Sequence, residues 1–119
     1  MQKLTLTITD YPDFSNTKLV YFEGDFDGYS EETIVDLQNE IDNSGPGSML
    51  IFEFSKLNYL NSFAIGQLVA WHNTMNTKQG KIFIVGINKN IQDIFSVLGI
   101  ESVFKTYNNL EELKAGQQT

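Results

Sequence analysis

Cysteine is absent from this chain of 119 residues, and so is arginine. Without thiols there can be no disulfide framework, no thiolate nucleophile and no zinc site built on sulfur, and the redox compartment is left open. Without guanidinium groups there is no arginine finger and no bidentate phosphate clamp. Histidine occurs once, at His72, which argues against a metal cluster. Positive charge is sparse: eight lysines, scattered from Lys3 to Lys114, stand against 15 acids and leave a formal net charge of −7. Nucleic acid is thereby an unfavourable partner, because phosphate neutralisation and base readout rest on clustered cations. No apolar run approaches the ~20 residues that cross a bilayer. Met1 to Asp10 alternates polar and apolar residues and lacks the hydrophobic stretch of a signal peptide. The glycines form neither GxGxxG nor a glycine, lysine, hydroxyl sequence, so no phosphate loop is encoded. A soluble, cytoplasmic protein without membrane, nucleic acid or cofactor is the expectation.

The length suits one domain with one continuous core. Leu4, Leu6 and Ile8 alternate with threonines, the period of a half-buried edge strand. Tyr11 to Phe14 breaks that pattern, and Leu19 to Phe22 forms a second apolar run ending at Gly24. The short connection predicts an antiparallel pair. Ser30 reads as the cap of a first helix with Glu31 and Glu32 in its first turn and an inner stripe of Ile34, Leu37 and Ile41. Met49 to Phe52 and Ile82 to Val85 are apolar without alternation, as expected of strands covered on both faces. The segment between them, about Ser62 to Lys78 and closed by Gly80, is helical, so the three form a βαβ unit in a parallel sheet. Ile91, Ile94, Phe95 and Leu98 space a third helix, with Gly99 placed for a left-handed cap. Val103, Phe104 and Tyr107 suggest a short last strand. Asn109 and Glu112 read as a variant capping box for a final helix carrying Leu110 and Leu113. The predicted fold is α/β, a mixed sheet with an antiparallel N-terminal pair, a parallel core and about four helices. The domain is expected over 1–114, with a frayed tail over 115–119.

Five short stretches in this order resemble the STAS domain family, which includes bacterial anti-sigma-factor antagonists and the cytoplasmic tails of sulfate-transporter-like permeases. Gly24, Asp25, Phe26, Asp27 is similar to the family's Gly, Glu, Leu, Asp element, and Phe52, Glu53, Phe54, Ser55 to its Val, Asp, Leu, Ser strand end. Leu60 to Gly66 aligns with an apolar residue followed by Asp, Ser, Ser or Thr, Gly, Leu, Gly. Gly80 to Gly86 resembles the fourth strand and its glycine, and Leu98, Gly99, Ile100 the end of the third helix. The resemblance implies a non-enzymatic module that binds an anti-sigma factor or serine kinase, or other STAS domains. In the antagonists the second hydroxyl of the motif is phosphorylated and the partner is released. Here that position is Phe63, which has no hydroxyl; the preceding acid is Asn61 and the following glycine is Ala64.

Helical spacing places Ile65, Leu68, Val69, His72 and Met75 on one face of the second helix and Phe63, Gln67, Ala70 and Thr74 on the other. Phe63 is therefore expected to point outward, either as an aromatic anchor for a partner or folded over a neighbouring loop. Ser62 reads as the helix cap, with a substitute phosphorylation site as the sharper alternative. Asp25 and Asp27 read as a solvated turn more readily than as a cation site. His72 reads as a packed core or half-buried histidine rather than a catalytic base, and Trp71 as packing at the margin of the stripe. The partner-binding surface is expected at Asp25, Asp27, Asn61, Ser62, Phe63 and Gln67, lacking the usual phosphorylation switch. The alternatives are an antagonist switched at Ser62, or a small-ligand-binding α/β domain with a cleft near Asp27 and Asn61.

Overall fold

A computed structural model describes residues 2–29 and 31–117. Strand β1 (Thr5–Asp10) runs antiparallel to β2 (Thr17–Phe26), with Leu6 opposite Phe22 and Ile8 opposite Val20. Helix α1 (Glu31–Asn43), β3 (Met49–Leu60), α2 (Ser62–Thr77), β4 (Lys81–Val85), α3 (Lys89–Val97), β5 (Lys105–Tyr107) and α4 (Leu110–Gln117) follow. The sheet order is β1-β2-β3-β4-β5, and every pair after the first is parallel. Each parallel strand thus lies beside its predecessor, joined by one crossover helix. This is the α/β architecture expected, with one antiparallel pair and four helices.

The alternation of side chains along the strands divides the core in two. Val20, Phe22, Leu50, Phe52, Ile82 and Ile84 face the three crossover helices, where they meet Ile34, Leu37 and Ile41 of α1, Leu68 and Trp71 of α2, and Phe95 of α3. Leu19, Ile51, Phe83 and Val85 face the other way and are covered by Leu113 of α4 and by Tyr11. That double cover explains why β3 and β4 carry unbroken apolar runs.

Several boundaries depart from the sequence-based expectation. Strand β3 continues eight residues beyond Phe52, because Phe54, Leu57 and Leu60 return to the core while Asn58 and Tyr59 stay exposed. β2 likewise runs past Gly24 to Phe26. At Gly24 the pairing with β3 slips and φ is +101°, and a Cβ there would run into the carbonyl oxygen of Lys3. Glycine lets the N-terminal segment cross the strand at that bulge. The last strand begins only at Lys105; Val103 and Phe104 belong to the turn before it, Phe104 buried and Val103 half-buried against the core. The final helix extends to Gln117, so Ala115 to Gln117 are helical where a frayed tail was expected.

Helix ends follow a shared chemistry. Asn88 accepts a hydrogen bond from the Ile91 N–H at 2.9 Å, and Asn109 accepts one from the Glu112 N–H at 2.9 Å. Glu112 reaches back to the N–H of Asn108, one residue earlier than a standard capping box. Gly99, at φ +71°, closes α3, with the Ile100 N–H donating to the Phe95 carbonyl at 3.0 Å. At the end of α2 the left-handed residue is Gln79, at φ +62°, and not the glycine that follows it. Gly80 is required for a different reason: a Cβ there would stand 2.6 Å from the Ser48 carbonyl oxygen. The cap expected at Ser30 lies outside the described residues.

The surface at the start of the second helix

Asn61 is the N-cap of α2, in place of the expected Ser62: its Oδ1 accepts from the Ala64 N–H at 3.1 Å. Its Nδ2 donates to the carbonyl oxygen of Asp27 at 2.9 Å, and its own N–H donates to the Phe26 carbonyl at 3.3 Å. An asparagine amide can accept and donate at once, so one side chain starts the helix and also ties it to the turn after β2. Ser62, one residue later, is exposed, and its hydroxyl takes part in no hydrogen bond among the described residues.

Phe63 points away from the main core, as helical spacing predicts, and 42 % of it is exposed. The remainder is spent on the β2–α1 turn. Its ring meets Phe26 edge-on, with centroids 6.4 Å apart and planes at 73°, and it lies against Gly28. Of the two alternatives for this outward ring, an anchor for a partner or a fold over a neighbouring loop, the contact with Gly28 is the second. Tyr29, next to that glycine, is 86 % exposed. Sequence reasoning did not single it out; a tyrosine following Asp27 and Gly28 at a strand end was the available signal, since turn residues project the side chain beside them into solvent.

The two acids are used differently. Asp27 Oδ1 accepts from the Tyr29 N–H at 3.1 Å, which shapes the turn. Asp25 turns to the N-terminal segment: its Oδ2 accepts from the Gln2 N–H at 3.1 Å and its N–H donates to the Gln2 carbonyl at 3.0 Å. Gln2 also takes a hydrogen bond from Asn58 at 3.1 Å, and Lys3 pairs with Glu32 of α1 at 2.9 Å. That hydrogen bond from Lys3 holds the Glu32 carboxyl below its ordinary value. The structure therefore joins Asn61, Phe63 and the Asp27 turn in one assembly, while Asp25 belongs to a strap formed by the chain's first residues.

The shoulder of α2 beyond Phe63 is set by the neighbouring helix. Trp71, expected at the margin, is 1 % exposed and sits in the core between Phe26 and Phe52, its Nε1 donating to Gln38 Oε1 of α1 at 2.8 Å. Val69, expected in the stripe, is only half-buried, whereas His72 is the half-buried, packed histidine expected, its ring edge-on against Phe104. Gln67, expected on the outer face with Phe63, is half-buried.

The hollow beside this surface is shallow, about 310 Å³ bounded by Gly28, Tyr29, Glu31 and Glu32. A larger one, about 530 Å³, lies where β2 and β3 begin, between Tyr11, Phe14, Lys18, Glu40 and Met49. The deeper space is thus remote from Asp27 and Asn61.

The fold is shared with known proteins. Residues 9–113 match the profile of the STAS domain. No curated protein matches the chain. Among solved structures, an anti-sigma factor antagonist from Mycobacterium paratuberculosis superposes with a TM-score of 0.80 at 16% identity, covering 98% of this chain and 96% of that one. The unphosphorylated form of the anti-sigma factor antagonist SpoIIAA gives 0.71 at 13% identity over 96% and 97% of the two chains. The murine anion transporter Slc26a9 gives 0.72 at 14% identity, and there the match covers 99% of this chain but 22% of the transporter.

Proposed function

The chain belongs to the STAS domain family, and from that premise we propose that it is a non-enzymatic protein-interaction module that docks a regulatory partner through the start of α2 and the adjoining β2–α1 turn. The observation that carries the reading is the exposure of two aromatic side chains, Phe63 at the start of α2 and Tyr29 in the adjoining turn, where Asp27 is held by hydrogen bonds from Asn61 and from the Tyr29 N–H. Exposed aromatic area on a fixed frame is the usual material of an interface hot spot. The likeness to anti-sigma factor antagonists supports a partner of the anti-sigma factor or serine kinase kind, or another domain of this fold. Phenylalanine at position 63 offers no oxygen to phosphorylate, so docking at this surface is constitutive or controlled elsewhere.

The test is titration calorimetry of the chain and of Phe63→Asp against a protein co-purified with it from its native cell. The expected result is a loss of affinity of about tenfold or more, as befits an interfacial aromatic. Equal affinities would remove this surface from the function.

One observation favours a second reading. Because Asn61 takes the capping role, the Ser62 hydroxyl is exposed at the helix start, without a hydrogen bond among the described residues. Phosphorylation there would place negative charge at the positive end of the helix. Mass spectrometry of the native protein decides it, and Ser62 unmodified under all growth conditions excludes it.

A further inference from the structure

The turn after β2 is held to α2 from two sides by residues two apart in sequence. On one side Asn61 donates to the Asp27 carbonyl while it caps the helix. On the other, the Phe63 ring rests on Gly28, whose φ of +93° is a conformation that side chains rarely adopt. A Cβ at that glycine would stand 3.1 Å from Cγ and 3.2 Å from Cδ2 of the ring, closer than ordinary contact. The ring's remaining edge meets Phe26, itself buried in the core.

We infer that Asn61, Gly28 and Phe63 form a latch that locks the β2–α1 turn onto the first turn of α2, so that Tyr29 and Phe63 are presented as one pre-formed surface. Its functional value rests on the docking reading above; the latch itself is a property of the free chain. Position 61 must accept and donate together. A carboxylate there accepts only, so aspartate keeps the cap and loses the tie to Asp27. Position 63 must carry a flat apolar group that can lie on a glycine without a Cβ. A serine in its place would leave Phe26 uncovered and the turn free, so restoring a hydroxyl would cost the order of the surface. Asn61 and Gly28 are thus positioning residues, and a partner meeting the surface need not arrange it first.

The test uses nuclear magnetic resonance on the full chain alone. Cross-relaxation between the Phe63 ring protons and the Gly28 α-protons, with upfield ring-current shifts of the latter, reads the latch; hydrogen exchange at the Ala64 amide reads the cap. Wild-type protein should show both. Asn61→Asp should lose the Phe63 to Gly28 cross-peaks while the Ala64 amide exchanges as slowly as before, and Gly28→Ala should weaken the Phe63 to Phe26 ring cross-peaks because the added methyl displaces the ring; undiminished Phe63 to Phe26 cross-peaks in Gly28→Ala overturn the latch. Absence of the Phe63 to Gly28 cross-peaks in wild type, or their full intensity in Asn61→Asp, overturns the latch. Faster exchange at Ala64 in Asn61→Asp also overturns it, since the helix start and not the turn would have given way. No partner is present in these measurements, so a latch found here together with unchanged affinity of Phe63→Asp leaves the latch standing and removes the docking reading.

Discussion

Asn61 and Asp27, 34 residues apart, are joined by a single hydrogen bond of 2.9 Å from the side-chain amide of the first to the main-chain carbonyl of the second. That bond connects the end of β2 to the start of α2, and the same amide caps the helix at Ala64. Removing the side chain deletes both functions. Asn61→Ala is expected to lower the free energy of unfolding by about 2 kcal/mol, roughly one for the cap and one for the tie. Urea denaturation checks it, and a change within about 0.5 kcal/mol of zero would show that neither bond matters to the fold.

Trp71 joins α1 to α2 through Gln38 as well as filling the core. Trp71→Phe preserves most of the ring and removes the donor, with an expected cost of about 1–2 kcal/mol for the oxygen left unpaired. Trp71→Ala should cost about 3–5 kcal/mol through the cavity it opens. Calorimetric melting separates the two. As the chain's one tryptophan, Trp71 also reports unfolding of the native protein by its fluorescence.

The end of α2 makes opposite predictions for adjacent residues. Gln79→Gly should stabilise by about 1 kcal/mol, because glycine takes the left-handed conformation without the Cβ penalty. Gly80→Ala should destabilise by about 1–3 kcal/mol, because its Cβ would press on the Ser48 carbonyl and on Met75. Gly80 is not among the glycines with positive φ, so the close approach alone sets the cost, and a neutral Gly80→Ala in thermal melts would show that Ser48 and Met75 give way to the added methyl.

The strap at Lys3 should respond to acid. The hydrogen bond from Lys3 lowers the Glu32 carboxyl below its ordinary 4.5, so the folded state binds this proton less readily than the unfolded chain does. The pair's contribution is therefore present above about pH 4.5 and is lost as pH falls through the lowered value. Carboxyl resonances followed through an acid titration should show Glu32 titrating below the usual glutamate range, and Lys3→Met should return it there. An unshifted Glu32 in the wild-type chain would show that the pair is too solvated to matter.

Much of the architecture was legible because it depends on periodicity. Alternation in β1, unbroken apolar runs in β3 and β4, and the stripe Ile34, Leu37 and Ile41 in α1 each state which faces must be buried, whatever the neighbours. The outward placement of Phe63 followed from the same rule. The site was harder, because its residues act through partners distant in sequence. Asn61 and Ser62 are both good caps, and the adjacent candidates differ only in that Asn61 can also reach the Asp27 carbonyl. A regular signal for that choice does exist: asparagines at 61, 88 and 109 each stand three residues before the amide they receive.

Composition and order of residues determined by themselves that this chain is an acidic α/β domain without thiols or guanidinium groups, and that position 63 carries a phenyl ring without a hydroxyl. Those are properties of local pattern and chemical inventory. Tertiary structure alone decided that Trp71 lies at the centre of the core, that Asp25 serves the N-terminal strap, and that Phe63 rests on Gly28 while Tyr29 stands free. Each of these depends on which element lies alongside, and a helix or strand carries in its own sequence the faces it must bury but not the identity of what covers them.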